Sequence, residues 1–167
     1  TLTFSNEIIF DNISFSYGAS SIKLFNDISF VIKKNTTLGI IGESGKGKTT
    51  LINILLGFLE IDQGNIRVDG NEISLNSISW QSKIGYVPQD IYLLDAPIIE
   101  NIAFGIPLNQ IDLHRVKNVI KRAKLSSLVE NEKDLYRKVG ERGLTLSGGQ
   151  IQRIGIARAL YNDPEIL

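Results

Sequence analysis

Residues 42–49 form the stretch of this sequence whose residue types and spacing are best suited to chemistry. They read GESGKGKT and match the pattern G-x-x-x-x-G-K-[ST] of a phosphate-binding loop. Glycines let successive backbone N–H groups turn toward phosphate oxygens, and the start of a following helix adds partial positive charge. Lys48 is expected to reach the β- and γ-phosphates, and the Thr49 hydroxyl to ligate Mg²⁺. We therefore predict that a nucleoside triphosphate binds at Gly42, Glu43, Ser44, Gly45, Lys46, Gly47, Lys48, Thr49 and Thr50.

A second glycine-rich motif, LSGGQ at residues 146–150, leads directly into a helical stretch. Ser147 and Gln150 have the spacing of a capping box, in which each side chain bonds the backbone of the other. That local role leaves Gly148 and Gly149 unexplained, because each costs a helix start about 1 kcal/mol relative to alanine. Their benefit would be bare backbone N–H groups at a positive helix end, which predicts a second anion site.

The elements that position the phosphate loop are predicted from apolar periodicity. Residues 10–17 and 28–32 alternate as strands do, and residues 66–73 are typical of a hairpin because Asp69-Gly70 favours a tight turn. Residues 38–41 form a short continuous apolar run, which predicts a strand buried on both faces. Residues 49–58 have helical spacing.

The rest of the chain is predicted to be mostly helical. Residues 84–87 suggest a short strand that ends at Pro88, and the interval from about 90 to 145 has helical periodicity. Residues 165–167 look like the first residues of a buried strand. His114 falls within the helical interval, where we expect it on the surface of a helix.

The amino-acid composition argues against several classes of function. The 167 residues include 18 Lys plus Arg and 18 Asp plus Glu, and this neutral balance argues against broad binding to nucleic acid. The chain contains no cysteine, has no signal peptide, and has no apolar run of the ~18 residues that a membrane span needs. It contains no methionine and starts at Thr1, so we expect it to be a piece of a longer protein.

A phosphate loop followed by LSGGQ resembles the nucleotide-binding domain of an ABC ATPase. The resemblance implies that LSGGQ, the signature motif of this family, binds the γ-phosphate of ATP held by the phosphate loop of a second subunit, in a head-to-tail dimer.

The resemblance also implies that Tyr17, in an A-loop at residues 15–18, stacks on adenine, with strand-end packing on the core as the alternative. It implies that Gln89, in a Q-loop at residues 87–90, contacts Mg²⁺ or the attacking water and reports to the membrane domain. The signature residues are Leu146, Ser147, Gly148, Gly149 and Gln150.

The resemblance implies an α/β fold. Its parts are a P-loop NTPase (RecA-like) core, an N-terminal antiparallel β subdomain and an inserted α-helical subdomain. Residues 1–167 would be a single domain, incomplete at its C-terminus. Residues 1–88 and 146–167 would form the core and β subdomain, and residues 90–145 the helical subdomain. Lys46 stands where the family usually has serine, at a position expected to donate through its backbone.

Several segments resemble the exporter branch of the family. GERG at residues 140–143 is similar to the loop that exporters press against their transmembrane partner, and residues 100–105 are also exporter-like. Residues 80–89 and 91–95 are most similar to exporters of lipid-linked oligosaccharide or polysaccharide, although drug, lipid and peptide export stay open. The implied function is an ATP-driven motor on the cytoplasmic face of the (inner) membrane, partnered by a transmembrane domain and a second nucleotide-binding domain. No nucleic-acid partner is expected.

The family's Walker B aspartate, catalytic glutamate, D-loop and switch histidine follow the segment that begins at residues 165–167. They are therefore not in this sequence, and we expect residues 1–167 alone not to hydrolyse ATP and to leave a sheet edge exposed. Two other functions stay open. One is a soluble ABC ATPase acting on nucleic acid, although no long heptad region is present. The other is an ATP-gated module that does not hydrolyse.

Overall fold

Four antiparallel strands organise the N-terminal half of the chain. The computed structural model describes residues 3–18, 22–74 and 77–167. The strands are β1 (Glu7–Phe15), β2 (Phe25–Lys33), β3 (Gln63–Val68) and β4 (Asn71–Glu72), and they lie in the order β2-β1-β3-β4. The sheet confirms the strands predicted near residues 10–17 and 28–32, with β1 beginning three residues earlier. Phe10 of β1 stacks on Phe30 of β2 with ring centroids 4.3 Å apart, which explains the alternation of apolar residues in both strands.

The hairpin predicted at residues 66–73 is confirmed. Asp69 and Gly70 join β3 to β4 with positive φ angles of 49° and 80°, as a tight primed turn requires. The Asp69 carboxylate also accepts hydrogen bonds from the backbone N–H groups of Asn6 at 2.8 Å and Glu7 at 2.9 Å. Bonds from the backbone of Glu7, Ser5 and Asn6 hold the pKa of Asp69 below its ordinary value. One turn residue therefore also fixes the start of β1.

The helix predicted at residues 49–58 is shorter than expected. α1 spans Lys48–Leu55, and the chain then turns at Gly57, whose φ of 74° is incompatible with a helix. The short helix α2 (Ile78–Gln81) carries the fully buried Trp80, whose indole N–H donates to the Leu55 carbonyl at 2.7 Å. That bond satisfies a carbonyl at the C-terminal end of α1.

The strand predicted at residues 38–41 is not observed, and the expectation of burial on both faces is wrong. Leu38 is 50% exposed and Ile41 is 95% exposed. No strand pairs with this run within the described ranges 3–18, 22–74 and 77–167. An apolar run is buried as a strand only when neighbouring strands satisfy its backbone and cover its faces.

The strands predicted at residues 84–87 and 165–167 are reduced to a single parallel bridge between Ile84 and Ile166. The Gly85 N–H donates to the Ile166 carbonyl at 2.8 Å. Leu167 is 70% exposed, so the expected burial of this segment is not observed. The bridge is nevertheless parallel, as in the core sheet of an α/β fold.

The C-terminal half contains three α-helices joined by irregular segments, so the helical interval predicted at about 90–145 is observed only in part. It contains α3 (Ile98–Ile102), α4 (Leu113–Arg122) and α5 (Gly148–Tyr161), with 3₁₀ turns at Leu108–Gln110, Glu132–Tyr136 and Glu141–Gly143. Asp112 begins α4 by accepting a hydrogen bond from the Arg115 N–H at 3.0 Å. The apolar faces of these helices share one buried cluster that includes Leu93, Ile99, Val116, Ile120 and Ile154.

The chain divides into two compact units, Thr1–Ser82 and Lys83–Leu167. The grouping of residues 146–167 with residues 1–88, and of residues 90–145 as a separate helical subdomain, stays a prediction. Across the described residues, no helix combines the length and apolar character needed to cross a membrane.

Candidate functional site

The phosphate loop has the backbone conformation that its glycines predict. Gly45 and Gly47 have φ angles of 79° and 89°, in the left-handed region that glycine adopts without strain. Gly47 is the N-cap of α1, so the loop opens directly onto the start of a helix. Residues 42–46 are exposed, which leaves the loop accessible to a ligand.

Lys48 folds back over the phosphate loop. Its ammonium group donates to the carbonyl oxygens of Gly42 at 2.8 Å and Glu43 at 2.7 Å. The positive charge therefore already lies at the loop where phosphates are expected, held by weak neutral acceptors that an anion can outcompete. Thr49 is exposed in the first turn of α1, where its hydroxyl is accessible to a cation.

The two other charged side chains of the loop pair with each other. Lys46 and Glu43 lie 3.9 Å apart, with both side chains mostly exposed, so the pair contributes little to stability. The Lys46 side chain thus lies mostly in solvent beside the loop. The exposed lysine, which stands where the family usually has serine, therefore adds little packing to the loop.

Tyr17 presents an open aromatic surface. The residue is 55% exposed, and its ring and that of Phe15 form a T-shaped pair, with centroids 5.0 Å apart and planes at 85°. Its hydroxyl lies 2.8 Å from the Thr50 hydroxyl, and Thr50 is only 6% exposed. The ring is therefore held by Phe15 and by the contact of its hydroxyl, while about half of the residue remains exposed.

Gln89 is exposed in the C-terminal unit and follows the short parallel bridge at Ile84. His114 is exposed on α4, as the sequence predicts. Residues 3–18, 22–74 and 77–167 contain no group of three or more His, Cys, Asp or Glu side chains suited to hold a metal ion.

LSGGQ begins α5, and the predicted capping box is confirmed. The Ser147 N–H donates to the Gln150 side-chain oxygen at 2.8 Å, and the Gln150 N–H donates to the Ser147 hydroxyl at 3.3 Å. Leu146 packs against the buried cluster of the C-terminal unit. The motif thus starts the helix and ties it to the core.

Gly148 and Gly149 are exposed, and nothing in the described part of the chain requires them to be glycine. A Cβ atom added to either would meet no neighbouring atom within 4 Å, and neither has a positive φ. Their effect is to leave the first two positions of α5 without side chains, so that another molecule can approach the backbone closely there.

Asn101 is a polar residue whose structural role sequence reasoning missed. It is fully buried, and its side-chain amide donates to the carbonyls of Leu94 at 3.1 Å and Ala96 at 3.3 Å. Its side-chain oxygen accepts from the Leu94 N–H at 2.9 Å. These bonds hold the irregular segment 92–97, which follows Gln89, against α3.

Arg158 of α5 completes this network. Its guanidinium donates to the Asn101 carbonyl at 2.8 Å and the Tyr92 carbonyl at 3.0 Å, and it lies 4.8 Å from the centre of the Phe104 ring. Burial lowers the pKa of Arg158 from its usual value, although the group stays charged. Asn101 lies in a stretch that the sequence marks as exporter-like, but no local pattern pairs it with a residue 57 positions later.

Comparison with known proteins identifies close likenesses. A family model described as ABC transporter matches residues 25–167. The ATP-dependent lipid A-core flippase of Cupriavidus metallidurans is 35% identical over 164 residues, which cover 96% of this chain and 28% of the flippase. The leukotoxin translocation ATP-binding protein LktB of a Pasteurella haemolytica-like species is 40% identical over 163 residues, which cover 96% of this chain and 23% of that protein.

A solved structure agrees with these relatives. The structure of a bacterial Atm1-family ABC exporter with ATP bound superposes with a TM-score of 0.84 at 32% identity, covering 98% of this chain and 28% of that one. This likeness confirms the predicted fold class, a P-loop NTPase fold with an antiparallel β subdomain and helices. The chain spans about a quarter of the length of the relatives it matches.

Proposed function

The chain belongs to the ABC transporter family, and on this premise we propose that it is the ATP-binding motor domain of an exporter. One observation carries the proposal. The chain has a glycine-built phosphate loop at residues 42–49 and also a second bare helix start at Gly148 and Gly149 that its own packing does not require. A phosphate loop alone is common to many NTPases, whereas the two motifs together are typical of this family.

Within one chain, ATP is held by the A-loop and the phosphate loop. Tyr17 offers its exposed ring to the adenine base, and Lys48 exchanges the carbonyls of Gly42 and Glu43 for phosphate oxygens. Thr49 supplies a hydroxyl ligand to Mg²⁺, which would neutralise charge on the phosphates. Because Mg²⁺ keeps several waters and is bound largely through phosphates, Thr49 would supply only part of its coordination shell. For Gln89 we propose the role that the family resemblance implies, a contact with Mg²⁺ or with the attacking water.

A second copy of the domain supplies the remaining contacts. Its residues Leu146–Gln150 approach the γ-phosphate through the bare N–H groups of α5, so that two copies enclose two ATP molecules head to tail. Closure and reopening of this pair drive a transmembrane domain, with the motor on the cytoplasmic face of the inner membrane. This proposal is favoured over a soluble nucleic-acid ATPase because the net charge is zero and the named relatives are a flippase and a translocation protein.

For the transported substrate we propose a chemical class, a lipid-linked oligosaccharide or polysaccharide. Residues 80–89 and 91–95 resemble exporters of lipid-linked oligosaccharide or polysaccharide, and the likeness to a lipid A-core flippase supports a lipid-linked substrate. Transport of fluorescent lipid-linked oligosaccharide by the full-length protein in proteoliposomes is the direct test. Uptake of a peptide substrate in its place would contradict this assignment.

The motor function is tested by replacing the phosphate-loop lysine. We expect Lys48→Ala to lower ATP hydrolysis by the full-length protein at least about 100-fold, because it removes a preorganised charge from the phosphates. Lys121→Ala is the matched control, since Lys121 is an exposed lysine on α4. Hydrolysis measured by phosphate release should separate the two variants, and equal activity in both would refute the proposal.

A further inference from the structure

The sequence places Thr50 among the nucleotide-binding residues, but the proposed function gives its buried side chain no particular contact with the nucleotide. It is the third residue of α1 and is 6% exposed, whereas its neighbour Thr49 is exposed. Its hydroxyl lies 2.8 Å from the hydroxyl of Tyr17, a residue 33 positions earlier in the chain. The contact therefore joins the A-loop, which follows β1, to α1, the helix that begins at the phosphate loop.

The contacts of Tyr17 leave its ring few positions to occupy. A tyrosine side chain has two rotatable bonds, and an exposed ring normally samples several rotamers. Here Phe15, which is 4% exposed, contacts the ring in a T-shaped arrangement, and the Thr50 hydroxyl contacts the hydroxyl of Tyr17. The ring is fixed in orientation while 55% of the residue remains exposed. A planar ligand would therefore meet a surface that is already in place, which raises affinity by lowering the ordering cost of binding.

We infer that Thr50 is a positioning residue for recognition of the nucleobase, acting through the Tyr17 hydroxyl rather than by contact with phosphate. The inference rests on the proposed function, in which Tyr17 stacks on adenine. It predicts that the Tyr17 hydroxyl contributes to affinity even though stacking itself needs only the ring. It also predicts that Thr50 matters for ligands that carry a base and not for ligands that lack one.

The experiment compares ATP with inorganic tripolyphosphate, which has no base, as ligands of the full-length protein. Thr50→Val keeps the shape of the side chain and removes its hydroxyl, and Tyr17→Phe keeps the ring and removes its hydroxyl. We expect each to weaken ATP binding about fivefold, the usual effect of one lost hydrogen bond. The double variant should be no weaker than either single one, because both changes break the same bond. Thr50→Ser, which retains a hydroxyl, should restore the affinity, and tripolyphosphate should bind all variants equally.

Two controls separate failure of the inference from failure of the proposed function. If Tyr17→Ala leaves ATP affinity unchanged, Tyr17 does not stack on the base and the premise is wrong. If Tyr17→Ala weakens ATP binding but Thr50→Val does not, the premise stands and the inference is overturned. The inference is also overturned if Thr50→Val weakens tripolyphosphate as much as ATP, since Thr50 would then act on phosphate directly.

Discussion

One buried residue, Asn101, holds the irregular segment 92–97 against α3. Asn101 lies in an apolar core, where a polar amide is tolerated only if its atoms find partners. Its side chain bonds the backbone of Leu94 and Ala96, and its carbonyl accepts from Arg158. The residue thus joins the irregular segment, α3 and α5 at one point.

We predict that Asn101→Ala lowers the free energy of unfolding by about 2–4 kcal/mol, because it removes the hydrogen bonds to the backbone of Leu94 and Ala96 and opens a cavity in the core. Asn118→Ala is the matched control, since Asn118 is exposed on α4 and should change stability by no more than about 0.5 kcal/mol. Urea unfolding of both variants of the purified protein measures the difference. Equal destabilisation would show that the Asn101 network does not hold this unit together.

At the scale of elements, α5 begins with a complete capping box but also with two glycines, which oppose helix formation. The capping box of Ser147 and Gln150 fixes the first turn, yet Gly148 and Gly149 occupy it. The space around both glycines is open among the residues that the structure describes. An element optimised for its own stability would carry alanine there, so the glycines indicate a requirement outside the chain.

Gly148→Ala should therefore stabilise the fold while impairing the function. We expect the free energy of unfolding to rise by about 0.5–1 kcal/mol from helix propensity. We expect ATP hydrolysis by the full-length protein to fall. The added methyl group would keep the γ-phosphate of the ATP bound by the other copy away from the backbone of α5. Chemical unfolding and phosphate-release assays on one preparation measure both quantities. Unchanged hydrolysis would show that no close approach occurs at this turn.

Whether an element can be predicted from the sequence depends on whether the residues that specify it are adjacent in the chain. The hairpin at Asp69-Gly70 and the capping box at Ser147 could be predicted because a few adjacent residues specify them. The run at residues 38–41 could not, since its burial depends on strands distant in the chain, and Ile41 is 95% exposed. The phosphate loop and LSGGQ were recognisable as motifs, but the Tyr17–Thr50 bond joins distant residues through no sequence pattern.

At the scale of the whole molecule, the proposed assembly of two copies would account for the presence of both motifs in one chain. The phosphate loop opens onto the start of α1 in the N-terminal unit, and LSGGQ opens onto α5 in the C-terminal unit. The proposed head-to-tail pair assigns them to different nucleotides. Under that proposal ATP affinity depends on Tyr17 and the phosphate loop, whereas ATP-dependent closure depends on the signature of the other copy.

Substitution of Ser147 tests this account most directly. Ser147→Arg places a long charged side chain at the bare start of α5, which should block the approach of a second copy without touching the phosphate loop. ATP affinity of the full-length protein is measured by equilibrium binding. ATP-dependent approach of the two copies is measured by the distance between spin labels at the exposed position His114. We predict that the variant binds ATP but shows no ATP-dependent shortening of that distance. A folded variant that loses ATP binding, or that closes as the unmodified protein does, would contradict the account.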